Sequence, residues 1–219
     1  MLPLFEVKNF TIIEDRMKVE IQKACEKDIT IIAESILESS KGRKKISIFN
    51  QIFDLNDDAS VLEKLKIIVN SNKKFYCHYS NFLIAKSAGN VVAILGNYES
   101  RIKTEENMLN VLKEIGIDGS YKDRVMLYER VEPHFDRKTW VLDFTFVDDI
   151  HILKELVQKS LLTARLQGYR KAEIALDIGA YEMKMNYEKL GFSLEQENKN
   201  EDFEIMFGVS GMLSLQLHL

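Results

Sequence analysis

The stretch from Trp140 to Ile178 constrains the fold more than any other part of the chain. WVLDFTFV at 140–147 is mostly apolar and reads as a strand, with a polar stretch before it and Asp148-Asp149 after it. Residues 149–167 follow with Ile150, Leu153, Val157, Leu161 and Ala164 on one helical face, and Gly168 ends that helix. Ala172–Ile178 is a second strand of the buried type. A strand, an amphipathic helix and a strand in succession make a right-handed parallel crossover.

The rest of the chain adds strands and helices in irregular alternation. Lys18–Cys25 reads as a strand, and a weaker one lies at Phe10–Ile13 within a short arm of residues 1–16. Asp28 fits a helix N-cap before Ile29, Ile32 and Ile36, and that helix runs to about Ser39 before Gly42. Ala59–Asn70 is helical, with Val61, Leu65 and Ile68 in line. Tyr79–Lys86 and Asn90–Asn97 flank Ser87-Ala88-Gly89 and form a hairpin. Residues 104–115 and 180–190 read as helices, and Val125–Val131 fits either a strand or a helix. Glu195–Asp202 (EQENKNED) reads as an exposed loop before a last strand near Met212–Leu217. This order predicts an α/β (α+β) domain over 17–219, with a central twisted mixed sheet flanked by helices.

Composition narrows the class. A chain of 219 residues buries roughly 70% of its unfolded surface, so neither disulfides nor a structural metal are needed. A net charge of −4 with both signs interspersed argues against a dedicated nucleic-acid binder. Cys25 and Cys77 make neither a disulfide framework nor a metal spacing, which points to the reducing cytoplasm. No apolar run approaches the ~18 residues of a membrane span, and the N-terminus lacks the apolar core of a secretory signal. Tyr76-Cys77-His78-Tyr79 places a thiol beside an imidazole, but neighbouring strand residues point to opposite faces, so the two should not meet. These aromatics suit the packing of the hairpin or an acceptor cleft. Gly42-Arg43-Lys44-Lys45 reads as a solvated basic loop, and the eight methionines read as core filler.

The short helix at 180–190 ends in NYEKLGF at Asn186–Phe192. A strand, a long helix, a second strand and a short helix closing on Y-E-K-L-G-F resembles the GNAT N-acetyltransferase superfamily. The resemblance spans about residues 18–219 and is strongest over 140–192. It implies a GNAT-like acyl-CoA N-acyltransferase fold and transfer of an acetyl group from acetyl-CoA to an amine of a small molecule or peptide by direct attack. It further implies that Tyr187 protonates the leaving thiolate. A carboxylate on the central strand serves as base in some members, which singles out Asp143; Glu99, just after the hairpin, is a second candidate. Backbone at Phe146 and Val147 would pair with the pantetheine arm. Ile152, Leu153 and Lys154, at the start of the long helix, would lie against the cofactor together with Tyr187.

The sequence departs from the family at the cofactor phosphates. The family pattern there is Q/R-x-x-G-x-G/A, whose glycines let backbone N–H groups close on the pyrophosphate. Here the stretch is Asp148 to Leu156, with no glycine between Gly119 and Gly168. An aspartate N-cap satisfies donors that phosphate would use, and both carboxylates place negative charge where an anion should sit, offset in part by His151 and Lys154. Ala180 stands where the family often has an asparagine. Two readings stay open: an acetyltransferase with acetyl-CoA and an amine as partners, or a non-catalytic protein of this fold that binds a ligand or partner. Self-association through sheet edges, giving a homodimer, is a third.

Overall fold

The computed structural model describes residues 19–73, 75–117 and 119–219, so the arm at 1–16 and the strand expected at Phe10–Ile13 lie outside the described residues. Seven strands form one mixed sheet in the order β1-β2-β3-β4-β5-β7-β6. They are β1 (Val19–Lys23), β2 (Phe82–Ser87), β3 (Asn90–Glu99), β4 (Thr139–Phe146), β5 (Lys171–Asp177), β6 (Ser193–Lys199) and β7 (Gly211–His218). The β4–β5 pair is parallel and the other pairs are antiparallel.

Helices cover both faces because strand residues alternate between two apolar clusters. On one face Phe82, Ile84, Ile94, Tyr98 and Val141 pack with α1 (Ile29–Lys41), α2 (Ile48–Phe53), α3 (Asp58–Val69), α4 (Glu105–Glu114) and α5 (Tyr121–Glu129). On the other, Leu83, Leu95, Trp140 and Leu142 pack with α6 (Ile150–Leu166) and α7 (Tyr181–Lys189). The crossover β4–α6–β5 and the hairpin β2–β3 stand where the sequence predicts them.

Three local features differ from expectation, and a fourth, at Val125, resolves an open reading. Asp28 occupies the N-cap position of α1, but its carboxylate turns back to accept from the Cys25 N–H at 2.9 Å and from Lys86 Nζ at 3.1 Å. Helix α2 is too short to show a period, yet Ser47 caps it by accepting from the N–H groups of Phe49 and Asn50. Val125 falls within a helix, α5. The expected loop at Glu195–Asp202 is instead most of edge strand β6 and the start of α8 (Glu201–Phe207). Strand β6 is polar except for the exposed Leu194; backbone pairing to β7 holds it, and Asn200 caps α8 by accepting from the Phe203 N–H at 2.9 Å.

Two irregularities in β4 shape the centre of the molecule. First, β4 pairs with β5 only from Thr139–Lys171 to Leu142–Ile174, although both strands run on. Beyond Leu142 they splay and leave a slit in the sheet. Second, β4 is bulged against β3: Ile94 faces Phe146 and Gly96 faces Asp143, so two steps on β3 match three on β4. Phe144 takes up the extra residue with φ of 46°. Gly96 permits this, since a Cβ there would lie 2.9 Å from the Asp143 carbonyl oxygen and 3.3 Å from the Phe144 ring.

Candidate active site at the splayed strands

The bulge changes which face each side chain of β4 meets. Asp143 points to the α1 face, where the Tyr98 O–H donates to its Oδ2 at 2.9 Å and the Phe144 N–H to its Oδ1 at 2.8 Å. Phe144 joins the same face, packed near Phe49, Tyr76 and Phe82. Thr145 then turns to the opposite face, with its Oγ1 2.9 Å from the Tyr187 hydroxyl of α7.

A cavity of about 560 Å³ runs through the slit. Phe49, Tyr76 and Tyr128 line it from one face of the sheet, Ala180 and Met183 from the other, and Asp143 and Thr145 in between. Lys103 and Glu132 form an ion pair in its wall, and Lys103 Nζ lies 5.3 Å over the Tyr76 ring. Desolvation pushes the Asp143 carboxyl above the usual carboxylate range, against the opposing pull of Lys103, the Tyr98 hydroxyl and the Phe144 N–H. Burial likewise opposes the Lys103 ammonium, but Glu132 and Asp143 outweigh it and hold the group charged.

Tyr187 has no exposure and does not line the cavity; it reaches it through Thr145. Burial pushes its phenol well up, the Asp143 charge adds to this, and the Thr145 hydroxyl partly offsets both. The structure thus brings Asp143 and Tyr187 to one strand end from opposite faces. It does not bring Glu99 there: that residue pairs with Trp140 at the far end of β4, forms an ion pair with Arg101 and lies outside the cavity.

The residues expected near a cofactor are spread along the end of β4 and the start of α6. Phe146 is exposed and lines the cavity, while Val147 is half-buried. Leu153 is buried in the sheet core, Ile152 is half-buried and Lys154 is exposed. Asp149 caps α6 by accepting from the His151 N–H at 2.7 Å, so the helix N-terminus already holds one of its own carboxylates.

The basic run at Gly42–Lys45 is exposed at Gly42, Arg43 and Lys45, as a solvated loop would be, but not at Lys44. Lys44 is buried, with Nζ 2.6 Å from Asp177 Oδ1 at the end of β5, and the Arg43 N–H donates to Asp177 Oδ2 at 3.1 Å. This links the α1–α2 connection to the sheet and makes it a cavity wall. Cys77 is buried, and desolvation holds its thiol well above its ordinary value, so it is no ready nucleophile. His78 Nδ1 is engaged with Ser80 Oγ at 2.7 Å.

Among the described residues no cluster of His, Cys, Asp and Glu could hold a metal ion, and no helix is long and apolar enough to cross a membrane. Thr145, Lys103 and Glu132 are the site residues that sequence reasoning missed. Their place depends on the bulge and on loops that meet only in three dimensions, and a glycine inside β3 is the one local sign.

No protein-family model and no curated protein matches the sequence. Solved structures do match. An acetyltransferase is 20% identical over 91% of this chain and 98% of its own, with a TM-score of 0.63. The polyamine N-acetyltransferase of Drosophila melanogaster is 12% identical over 92% of this chain and 100% of its own, with a TM-score of 0.58. An N-acetyltransferase from Staphylococcus aureus is 13% identical over 91% of this chain and 100% of its own, with a TM-score of 0.57. At such identities the likeness is one of fold, and the mixed seven-stranded sheet with flanking helices has the GNAT acetyltransferase fold.

Proposed function

We propose that the protein is an N-acetyltransferase that moves an acetyl group from acetyl-CoA to a primary amine by direct attack. The observation that carries this is one cavity passing through the slit, with Asp143 on one face and the Thr145–Tyr187 pair on the other. The amine enters between α1 and α5. Asp143 takes a proton from the ammonium, and the neutral nitrogen attacks the thioester carbonyl. The N–C bond forms, the C–S bond breaks, the second amine proton leaves to water, and the thiolate receives a proton from Tyr187 by way of the Thr145 hydroxyl. A thiol has an ordinary pKa of about 8.5, so donation from a phenol held well above 10 is uphill. Asp143 offsets this because it carries the proton removed from the amine, and returning that proton to tyrosinate is strongly downhill.

Tyr187→Phe is expected to lower kcat by about 10²-fold with little loss of stability. Thr145→Val should do the same with the KM for acetyl-CoA unchanged, and Thr145→Ser should restore the rate. An unchanged rate in Tyr187→Phe removes that residue from the mechanism.

The phosphate end is the weak point of this reading. Asp148 and Asp149 crowd the α6 N-terminus with negative charge, and no glycine opens the loop. Asn also caps helices, so Asp148→Asn with Asp149→Asn keeps α6 intact while removing both charges. The pair should tighten CoA binding by up to about 1 kcal/mol at low salt. Equal or weaker binding means that the phosphates lie elsewhere. The same crowding favours a second reading, a non-catalytic protein of this fold that binds another ligand or a partner. Calorimetric titration with acetyl-CoA, with adenosine bisphosphate as control, separates the two. Micromolar binding supports the acetyltransferase, and no binding at millimolar cofactor overturns it.

A further inference from the structure

The cavity also carries information about which amine it takes. We infer that the acceptor is a primary amine with an apolar or aromatic body and no carboxylate of its own; this rests on the acetyltransferase reading above.

The floor is aromatic. The Tyr76 and Phe144 rings stack at 5.9 Å with 8° between their planes, and Phe49 lies 6.4 Å from Phe144. Such a floor takes apolar surface out of water and attracts a cation through the ring faces, as it already does for Lys103. Six carboxylates line the cavity (Glu38, Glu105, Glu129, Glu132, Asp143 and Asp177) against three cations, and one of the six, Glu105, is paired with Lys122 outside it. The two inner cations are committed, Lys44 to Asp177 at 2.6 Å and Lys103 to Glu132. The third, Arg43, is exposed at the rim. A carboxylate on the acceptor therefore meets no uncommitted cation at depth and must break an ion pair to find one. An ammonium meets Asp143, whose carboxylate accepts from two neutral donors, the Tyr98 O–H and the Phe144 N–H.

The size of the preference follows from Coulomb's law. One added negative charge within about 8 Å of the surplus carboxylates, at an effective dielectric near 20, disfavours an amino acid by about 30-fold relative to its decarboxylated amine. The experiment uses matched pairs, phenethylamine with phenylalanine and pentylamine with norleucine. Each compound is titrated calorimetrically into the protein without cofactor, and each is then assayed for acetylation with acetyl-CoA. The expected result is at least tenfold tighter binding of each amine, and a kcat/KM about 30-fold higher than for its amino acid. Equal or tighter binding of the amino acids, or no binding of either, overturns the inference even if acetylation is seen. Failure to bind or turn over acetyl-CoA overturns the acetyltransferase reading alone, because the cofactor-free titration still reports on the cavity. Glu132→Gln releases Lys103 and should shrink the binding preference several-fold. A preference that does not move overturns the ion-pair argument and the inference with it.

Discussion

Under the proposed mechanism, Asp143→Asn is expected to lower kcat/KM for amine acetylation by about 10³-fold at neutral pH and to remove the acid limb of the pH profile, the loss expected when a positioned general base becomes an amide. The wild-type limb should lie above the ordinary aspartate value of about 4, because desolvation favours the neutral carboxyl and Lys103, Tyr98 and Phe144 only partly reverse that. The sign also fixes the effect on stability. A carboxyl whose folded pKa is raised contributes stability below its unfolded pKa, and this is lost as pH rises through the folded value. At neutral pH the wild type thus carries a disfavoured carboxylate that the variant lacks. The amide can still accept from the Phe144 N–H, and its NH2 can donate to the Tyr98 hydroxyl. Thermal unfolding should therefore show the variant at least as stable as the wild type at pH 7, with the difference narrowing toward pH 4. An unaltered rate profile removes Asp143 as base, and a strong loss of stability assigns it a structural role.

Lys44→Ala is the second large effect, and it acts on the fold. Lys44 and Asp177 side chains are 3% and 6% exposed, so removing the lysine leaves a carboxylate buried with only the Arg43 N–H for company. Breaking one side of a buried pair costs about 3–5 kcal/mol. In a domain of this length that lowers Tm by about 10 °C. The substitution also frees the α1–α2 connection from β5, so acceptor KM should rise along with the loss of stability. A Tm shift under about 2 °C would mean that the pair contributes nothing net. Lys44→Met with Asp177→Leu should recover part of the loss, but not all, because the Arg43 N–H then loses its acceptor.

That ion pair also marks the limit of what the sequence discloses. GRKK is locally indistinguishable from a solvated loop, and the burial of Lys44 within it comes from a carboxylate 133 positions away. The crossover from Trp140 to Ile178 was legible because its helix and strands repeat their apolar residues at the right periods. Strand β6 was not, since this largely exposed edge strand carries no apolar period. Tyr187 was legible through the Y-E-K-L-G-F resemblance, whereas Thr145 was hidden by simple alternation. Strict period-2 reading puts Asp143 and Thr145 on the same face, and only the register against β3 corrects it.

The extra residue at Phe144 has a consequence for how such a chain can change over time. It alters the parity of β4: side chains before it and after it count odd and even differently. No point substitution restores the original count; only an insertion or deletion of one residue does. A lineage that substitutes Asp143 or Tyr187 therefore keeps the opening through the sheet, ready to be lined for another ligand. A lineage that drops one residue between Asp143 and Thr145 reverses the threonine, closes its contact with α7, and cannot recover it by exchange of side chains.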